Sequence, residues 1–135
     1  MIQTQKELKI NHMPFKVGQT LAVTGVPNAN ATDRFSVNIG PNDQDIALHV
    51  NPRFQSKTVV CNTREGANWG QEIIGKGLPF QQGVEFTITI AFNCGEFVIT
   101  LPDSSMIHVP NRLGAYEYIH FFSDGEVRIS SLQIK

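Results

Sequence analysis

Apolar residues recur at every second position in short runs along most of this chain. Phe35, Val37 and Ile39 alternate with Arg34, Ser36 and Asn38, and Phe86, Ile88, Ile90 and Phe92 alternate with Glu85, Thr87, Thr89 and Ala91. Successive side chains of a strand point to opposite faces. A helix would need apolar residues three and four apart instead, and no stretch carries that pattern over any length. Gly, Pro, Asn and Asp interrupt the runs about every ten residues, which is the punctuation of a β-sandwich or barrel. The expected fold is therefore all-β, two antiparallel sheets packed as a sandwich. The 135 residues suffice for one domain with a real core. No linker, repeat or low-complexity tract divides them, so 1–135 reads as one domain, with 1–11 as an N-terminal extension or terminal strand.

The runs can be placed in order. Leu8-Lys9-Ile10 is a possible first strand, and Thr20–Val26 is a strand with Leu21 and Val23 inward. The runs at 85–92, 96–101 and 106–109 form a meander behind the sheet that carries the site. Ser123-Asp124-Gly125 separates Tyr118–Phe122 from Glu126–Ile129, and Asp-Gly favours a tight hairpin. The apolar phase then slips: Val127 and Ile129 are odd-numbered, Leu132 and Ile134 even. A β-bulge near Ser130-Ser131 absorbs the extra residue.

Ile46-Ala47-Leu48-His49-Val50-Asn51-Pro52-Arg53 is the most informative run. Ile46, Leu48 and Val50 share an apolar face, and Ala47, His49, Asn51 and Arg53 share the other. A ring nitrogen, an amide and a guanidinium in one row donate and accept in fixed directions, as a ligand rich in hydroxyls requires. An ordinary edge strand with a solvated face is the competing reading. Thr58-Val59-Val60-Cys61-Asn62 follows after only Gln55-Ser56-Lys57, so the two runs form a hairpin and bring Asn62 beside the polar row. The only Trp, Trp69, lies in a polar loop between Asn68 and Gly70, outside any apolar run. That favours an exposed ring over a core one. An exposed indole beside a polar strand face can pack on the C–H face of a sugar while the polar groups meet its hydroxyls, and an Arg adds direction.

These residues resemble the galectin signature, which runs His-x-Asn-Pro-Arg, then Val-x-Asn, then Trp-Gly-x-Glu-x-Arg. Here the blocks are His49–Arg53, Val60–Asn62 and Trp69–Ile74. Arg34–Gly40, Leu78-Pro79-Phe80 and Pro110–Leu113 resemble the family's framework, so the likeness covers roughly residues 12 to 135. It implies a galectin-like jelly-roll carbohydrate-recognition domain that binds β-galactosides without catalysis. By resemblance, His49, Asn51 and Arg53 hold the galactose hydroxyls, chiefly the axial one. Asn62 bonds the hydroxymethyl oxygen, and Trp69 stacks on the apolar face. Glu72 meets the neighbouring sugar and orients Arg53. Arg34, Ser36 and Asn38 extend the groove if their strand neighbours that of His49; a solvated Arg34 is the other reading.

One position departs from the signature. Ile74 stands where the family usually carries an Arg that pairs with the Glu and reaches the second sugar. A hydrogen bond to a charged group contributes about 1.5–3 kcal/mol, so its loss implies roughly tenfold weaker disaccharide binding or more. The alternative function is accordingly a galectin-fold protein with weakened or altered sugar preference, or one with a structural role.

Other chemistry finds little support. A formal net charge of −1 lacks the basic excess of a nucleic-acid protein. No apolar run is long enough for membrane insertion as a helix, and Met1–Glu7 has no apolar core of a signal peptide. Two cysteines do not make a disulfide framework, so free thiols made in a reducing compartment are expected. The resemblance implies synthesis in the cytoplasm and leaderless export to the extracellular space. Asn30-Ala31-Thr32 is a glycosylation sequon, expected unmodified on that route. His12, His108 and His120 are scattered without zinc-ligand spacing and read as surface or internally satisfied histidines. No metal or cofactor is expected. A glycosidase needs two flanking carboxyls; Glu65 is the near partner for Glu72 in sequence, and it reads as a solvated loop charge. The expected partners are β-galactoside glycans on glycoproteins or glycolipids. A homodimer through terminal edge strands is also expected.

Overall fold

The computed structural model describes residues 8–135. Residues 1–7, most of the expected N-terminal extension, lie outside the described residues. The strands are β1 (Lys9–Ile10), β2 (Phe15–Lys16), β3 (Thr20–Pro27), β4 (Phe35–Gly40), β5 (Ile46–Arg53), β6 (Thr58–Glu65) and β7 (Asn68–Trp69). They continue as β8 (Ile73–Ile74), β9 (Phe86–Phe92), β10 (Glu96–Thr100), β11 (Met106–Pro110), β12 (Glu117–Tyr118), β13 (His120–Gly125) and β14 (Val127–Ile134). No helix occurs among the described residues.

One sheet runs β1-β13-β4-β5-β6-β7, with β8 also paired to β6, and a second runs β11-β10-β9-β3-β14. A short β12-β2 pair stands apart. Every pairing is antiparallel. The expected meander, β9 to β11, belongs to the second sheet, and Leu21, Val23, Ile88, Ile90 and Ile99 bury its inner face. Val37, Ile39, Leu48, Val50, Val59 and Cys61 do the same from the first sheet. The period-two pattern is thus the inside of a sandwich, with one face of each strand removed from water.

Aromatic rings fill the two ends of this core. Phe92, Phe97 and Tyr118 form a triangle of rings, with Phe92 stacked on Phe97 at 4.7 Å and on Tyr118 at 5.6 Å, and Phe92 tilts against Phe15 at 5.3 Å. Phe35 packs on Phe86 at 5.4 Å and Phe80 at 5.7 Å, with Phe54 at 6.2 Å. Phe35 belongs to β4 and Phe54 directly follows β5, so this second aromatic group backs the strands that carry the polar face.

The slip in β14 is the expected bulge: Ile129 pairs with Gly25 and Ser131 with Thr24, which leaves Ser130 as the extra residue. Val127, Ile129, Leu132 and Ile134 all then pack on the core.

Four details differ from the sequence expectation. Trp69 stands on the short strand β7, paired with Arg64, rather than in a loop. The Asp124-Gly125 turn is not a hairpin. β13 pairs with β4 in one sheet and β14 with β3 in the other, so the turn is a corner between sheets. Gly125 is still paired with Phe35 and has φ 86°, and a Cβ there would lie 2.5 Å from the Arg34 carbonyl oxygen. The glycine serves a backbone close approach rather than a two-residue loop. The run Tyr118–Phe122 is likewise not one strand: Tyr118 pairs with Phe15, and the larger sheet resumes at His120. Finally, Ala47 is not on the polar face. The β5–β6 register shifts between Ile46 and His49, and Ala47 joins the core cluster while Ile46 is buried outside it.

Candidate functional site

β5 lies between β4 and β6, and the register fixes which side chains meet. His49 faces Asn38 of β4 on one side and Asn62 of β6 on the other, and Asn51 faces Val60. Ser36 faces Asp124 of β13. Ser36, His49, Asn51, Val60 and Asn62 form the floor of an open groove of about 760 Å³. His49, Asn51, Arg53, Asn62, Trp69 and Glu72 all line it, and so do Arg34 and Ser36. Asn38 does not reach the groove; it is buried behind His49.

Each polar group is held by another. Asn38 Nδ2 donates to Ser36 Oγ at 3.0 Å and to the Phe122 carbonyl at 3.3 Å, so its Oδ1 is free to accept. That oxygen lies 2.6 Å from His49 Nδ1. The surrounding donors therefore assign the proton to Nδ1 and leave the Nε2 lone pair as an acceptor. Burial, and then the neighbouring Arg53 charge, lower the His49 pKa from 6.5 to about 4. The ring is a neutral acceptor at physiological pH. Asn51 Nδ2 donates to the Phe35 carbonyl at 2.7 Å, and Arg53 Nε donates to Asn51 Oδ1 at 2.9 Å. Arg53 then meets Glu72 at 3.5 Å. The aromatic packing of Phe35 is thereby linked, through Asn51, to the aim of the guanidinium.

The Trp69 wall is built by a tight turn. Glu65 pairs with Asn68, and Gly66 between them has φ 59°. A positive φ at the first of two central residues is the type II′ pattern, which suits hairpin twist. Trp69 is 46% exposed, with its centroid 4.6 Å from that of His49. The Arg64 guanidinium lies 5.4 Å from the indole centroid, itself tied to the Gln44 and Asp43 carbonyls. Glu65, weighed as a partner for Glu72, does not line the groove; Asp33, Asp124 and Glu126 line it on the β13 side instead. His108 pairs with Glu96 at 2.9 Å. His120 is buried, its Nε2 against the Asp43 carboxylate.

Arg112 was not singled out from sequence. It donates to Asn62 Oδ1 at 3.0 Å and to the Gln71 carbonyl at 2.9 Å, fastening the strand after Trp69 to the floor. Asn111 holds that corner through Ala115 and Tyr118. Arg112 and Asn62 are 50 residues apart in sequence, and no local spacing signals their contact. Ile74 pairs with Val60 across β6 and is 60% exposed, whereas its neighbour Ile73 packs on the core.

A cleft of fixed donors and acceptors beside an exposed indole, on one face of a β-sandwich, defines a carbohydrate-binding protein. A family model described as galactoside-binding lectin matches residues 6–134, and the chain belongs to that family. The chain is 48% identical over 127 residues to a β-galactoside-binding lectin of Electrophorus electricus, covering 91% of this chain and 93% of the relative. It is 39% identical over 129 residues to human galectin-2, covering 96% and 97%. Among solved structures it is similar to Dario rerio galectin-1-L2, with TM-score 0.90, 45% identity and coverage of 95% and 99%. It is also similar to a lactose-liganded congerin II, with TM-score 0.88, 31% identity and coverage of 96% and 100%. The jelly-roll sandwich expected from sequence is the fold of this family. The chain is a β-galactoside-binding lectin, not an enzyme.

Proposed function

We propose that residues 1–135 act as one carbohydrate-recognition domain in which the groove holds a single β-galactoside. Trp69 takes the apolar face of the galactose. His49 Nε2 accepts from the axial hydroxyl, and Arg53 donates to it, with Asn51 setting the Arg53 fork. Asn62 bonds the hydroxymethyl oxygen. Glu72 accepts from the next sugar, attached at the anomeric carbon, and holds Arg53 in line. Arg34 and Ser36 extend the contact on the other side, and Asn38 acts from behind through His49. The observation that carries this reading is the neutral, tautomer-fixed His49 4.6 Å from an exposed Trp69. A fixed acceptor beside an aromatic wall discriminates an axial from an equatorial hydroxyl, because the wrong epimer leaves a buried polar group unpaired.

The second reading is altered or weakened sugar preference, and exposed Ile74 favours it. Both readings name glycans of glycoproteins or glycolipids as partners. A homodimer fits the positions of β1 and β14, which are outer strands of their sheets among the described residues. Free Cys61 and Cys94 fit synthesis in the cytoplasm and a further role outside the cell. No described helix is long and apolar enough to cross a membrane.

Calorimetric titration with lactose, with mannose and sucrose as controls, tests the proposal. Saturable lactose heat near one site per chain is expected; silence, or heat from a control sugar instead, would mean that the Ile74 end of the site has disabled or redirected it. Trp69→Ala should weaken binding by at least about tenfold. Because the ring is half exposed, the thermal midpoint should move by no more than about 2 °C.

A further inference from the structure

The groove leaves the Trp69 wall in two directions of opposite character. Toward β13 it meets Ser36, Asp33, Asp124 and Glu126. Toward β8 its floor is Val60, and the next residue across the ladder is Ile74. Directly opposed residues share a face with Cβ atoms about 5 Å apart. Val60 is 3% exposed and Ile74 is 60% exposed, so the two form a step from a covered floor to an open apolar ledge. Glu72, two residues before Ile74, stands beside this ledge, and its only ion-pair partner among the described residues is Arg53. No cation of β8 projects over it.

We infer that Val60 and Ile74 form an apolar subsite that selects galactosides whose anomeric substituent is itself apolar, such as an alkyl chain. The inference rests on the galactoside reading above, since it places the anomeric substituent beside Glu72. The chemistry follows from the surface. A polar second sugar finds one carboxylate acceptor there and no donor from β8, so its hydroxyls gain little over water. An apolar group covers Ile74 and gains by removing both surfaces from solvent. Each methylene so covered contributes up to about fourfold in affinity, and a half-open ledge gives part of that.

The test is calorimetric titration of methyl, hexyl and lactosyl probes on the same protein: methyl β-galactoside, hexyl β-galactoside and lactose. Hexyl β-galactoside should bind about three- to tenfold tighter than the methyl glycoside. In Ile74→Thr that advantage should shrink to below about twofold. Ile74→Arg should remove it as well and tighten lactose instead. Equal affinity of hexyl and methyl glycosides, or an advantage that survives Ile74→Thr, would overturn the apolar subsite and leave the galactoside groove standing. Binding of hexyl β-glucoside as tight as hexyl β-galactoside would overturn it too, as adhesion without sugar recognition. Failure of all three galactosides to bind would remove the galactoside reading, and the subsite with it.

Discussion

His49 shows how a side chain acquires its role from its neighbours. In sequence it is one polar residue on an alternating strand. In the fold, Asn38 fixes its tautomer and burial fixes its charge. Its pKa of about 4 against 6.5 in an unfolded chain has a defined consequence. Above pH 6.5 the ring is neutral in both states, and its titration contributes nothing. Between 6.5 and 4 the unfolded chain binds a proton that the folded ring refuses, so stability falls as pH falls through that window. The loss approaches about 3 kcal/mol below pH 4. Urea midpoints at pH 7, 6 and 5 should therefore decline, and His49→Gln should flatten the decline. Lactose affinity of the native protein should stay level down to about pH 5, because the folded ring remains an acceptor. A loss of affinity centred at pH 6.5 would mean that the ring titrates freely. His49, Asn51, Arg53, Asn62, Trp69 and Glu72 were legible because their chemistry lies in two neighbouring strands and one turn. Arg112 and Arg64 were not. One reaches across 50 residues and the other acts from behind the ring, and neither contact has a local pattern.

At the scale of the element, the phase of the apolar residues proved a good guide wherever a slip left a trace. Two odd positions followed by two even ones in β14 revealed the bulge at Ser130. The slip in β5 left no such trace, because Ala47 is small enough to read as either face. Asp-Gly misled for a different reason: a residue with positive φ serves a hairpin or a corner equally well, and only the partner strand decides. The Gly125 corner makes its own prediction. Alanine there must hold φ 86° and set its Cβ 2.5 Å from the Arg34 carbonyl oxygen. Gly125→Ala should cost about 1–3 kcal/mol by denaturant titration. It should disturb the β13 side of the groove more than the Trp69 side, which amide chemical shifts would resolve.

At the scale of the whole molecule, the sandwich joins segments far apart in the chain: β3 lies between β9 and β14, and β4 between β5 and β13. Such a topology opens as a unit or not at all, and local fraying is confined to edges. The two thiols sit at opposite ends of that scale. Cys94 is exposed in the β9–β10 turn, and Cys61 is fully buried in β6, where burial alone raises its pKa to about 12. A thiol reagent should modify Cys94 within minutes and Cys61 only when β6 separates from its neighbours; mass spectrometry after timed quenching distinguishes them. Fast modification of both would contradict cooperative opening. Cys61 also has a double address. Its side chain belongs to the core, while the residues on either side of it, Val60 and Asn62, floor the groove. The chain thus carries a silent timekeeper beneath its own ligand. Each sugar that keeps the floor shut slows that clock by a factor of one plus the ratio of free sugar concentration to Kd, so affinities could be read from a single sulfur atom that no sugar ever touches.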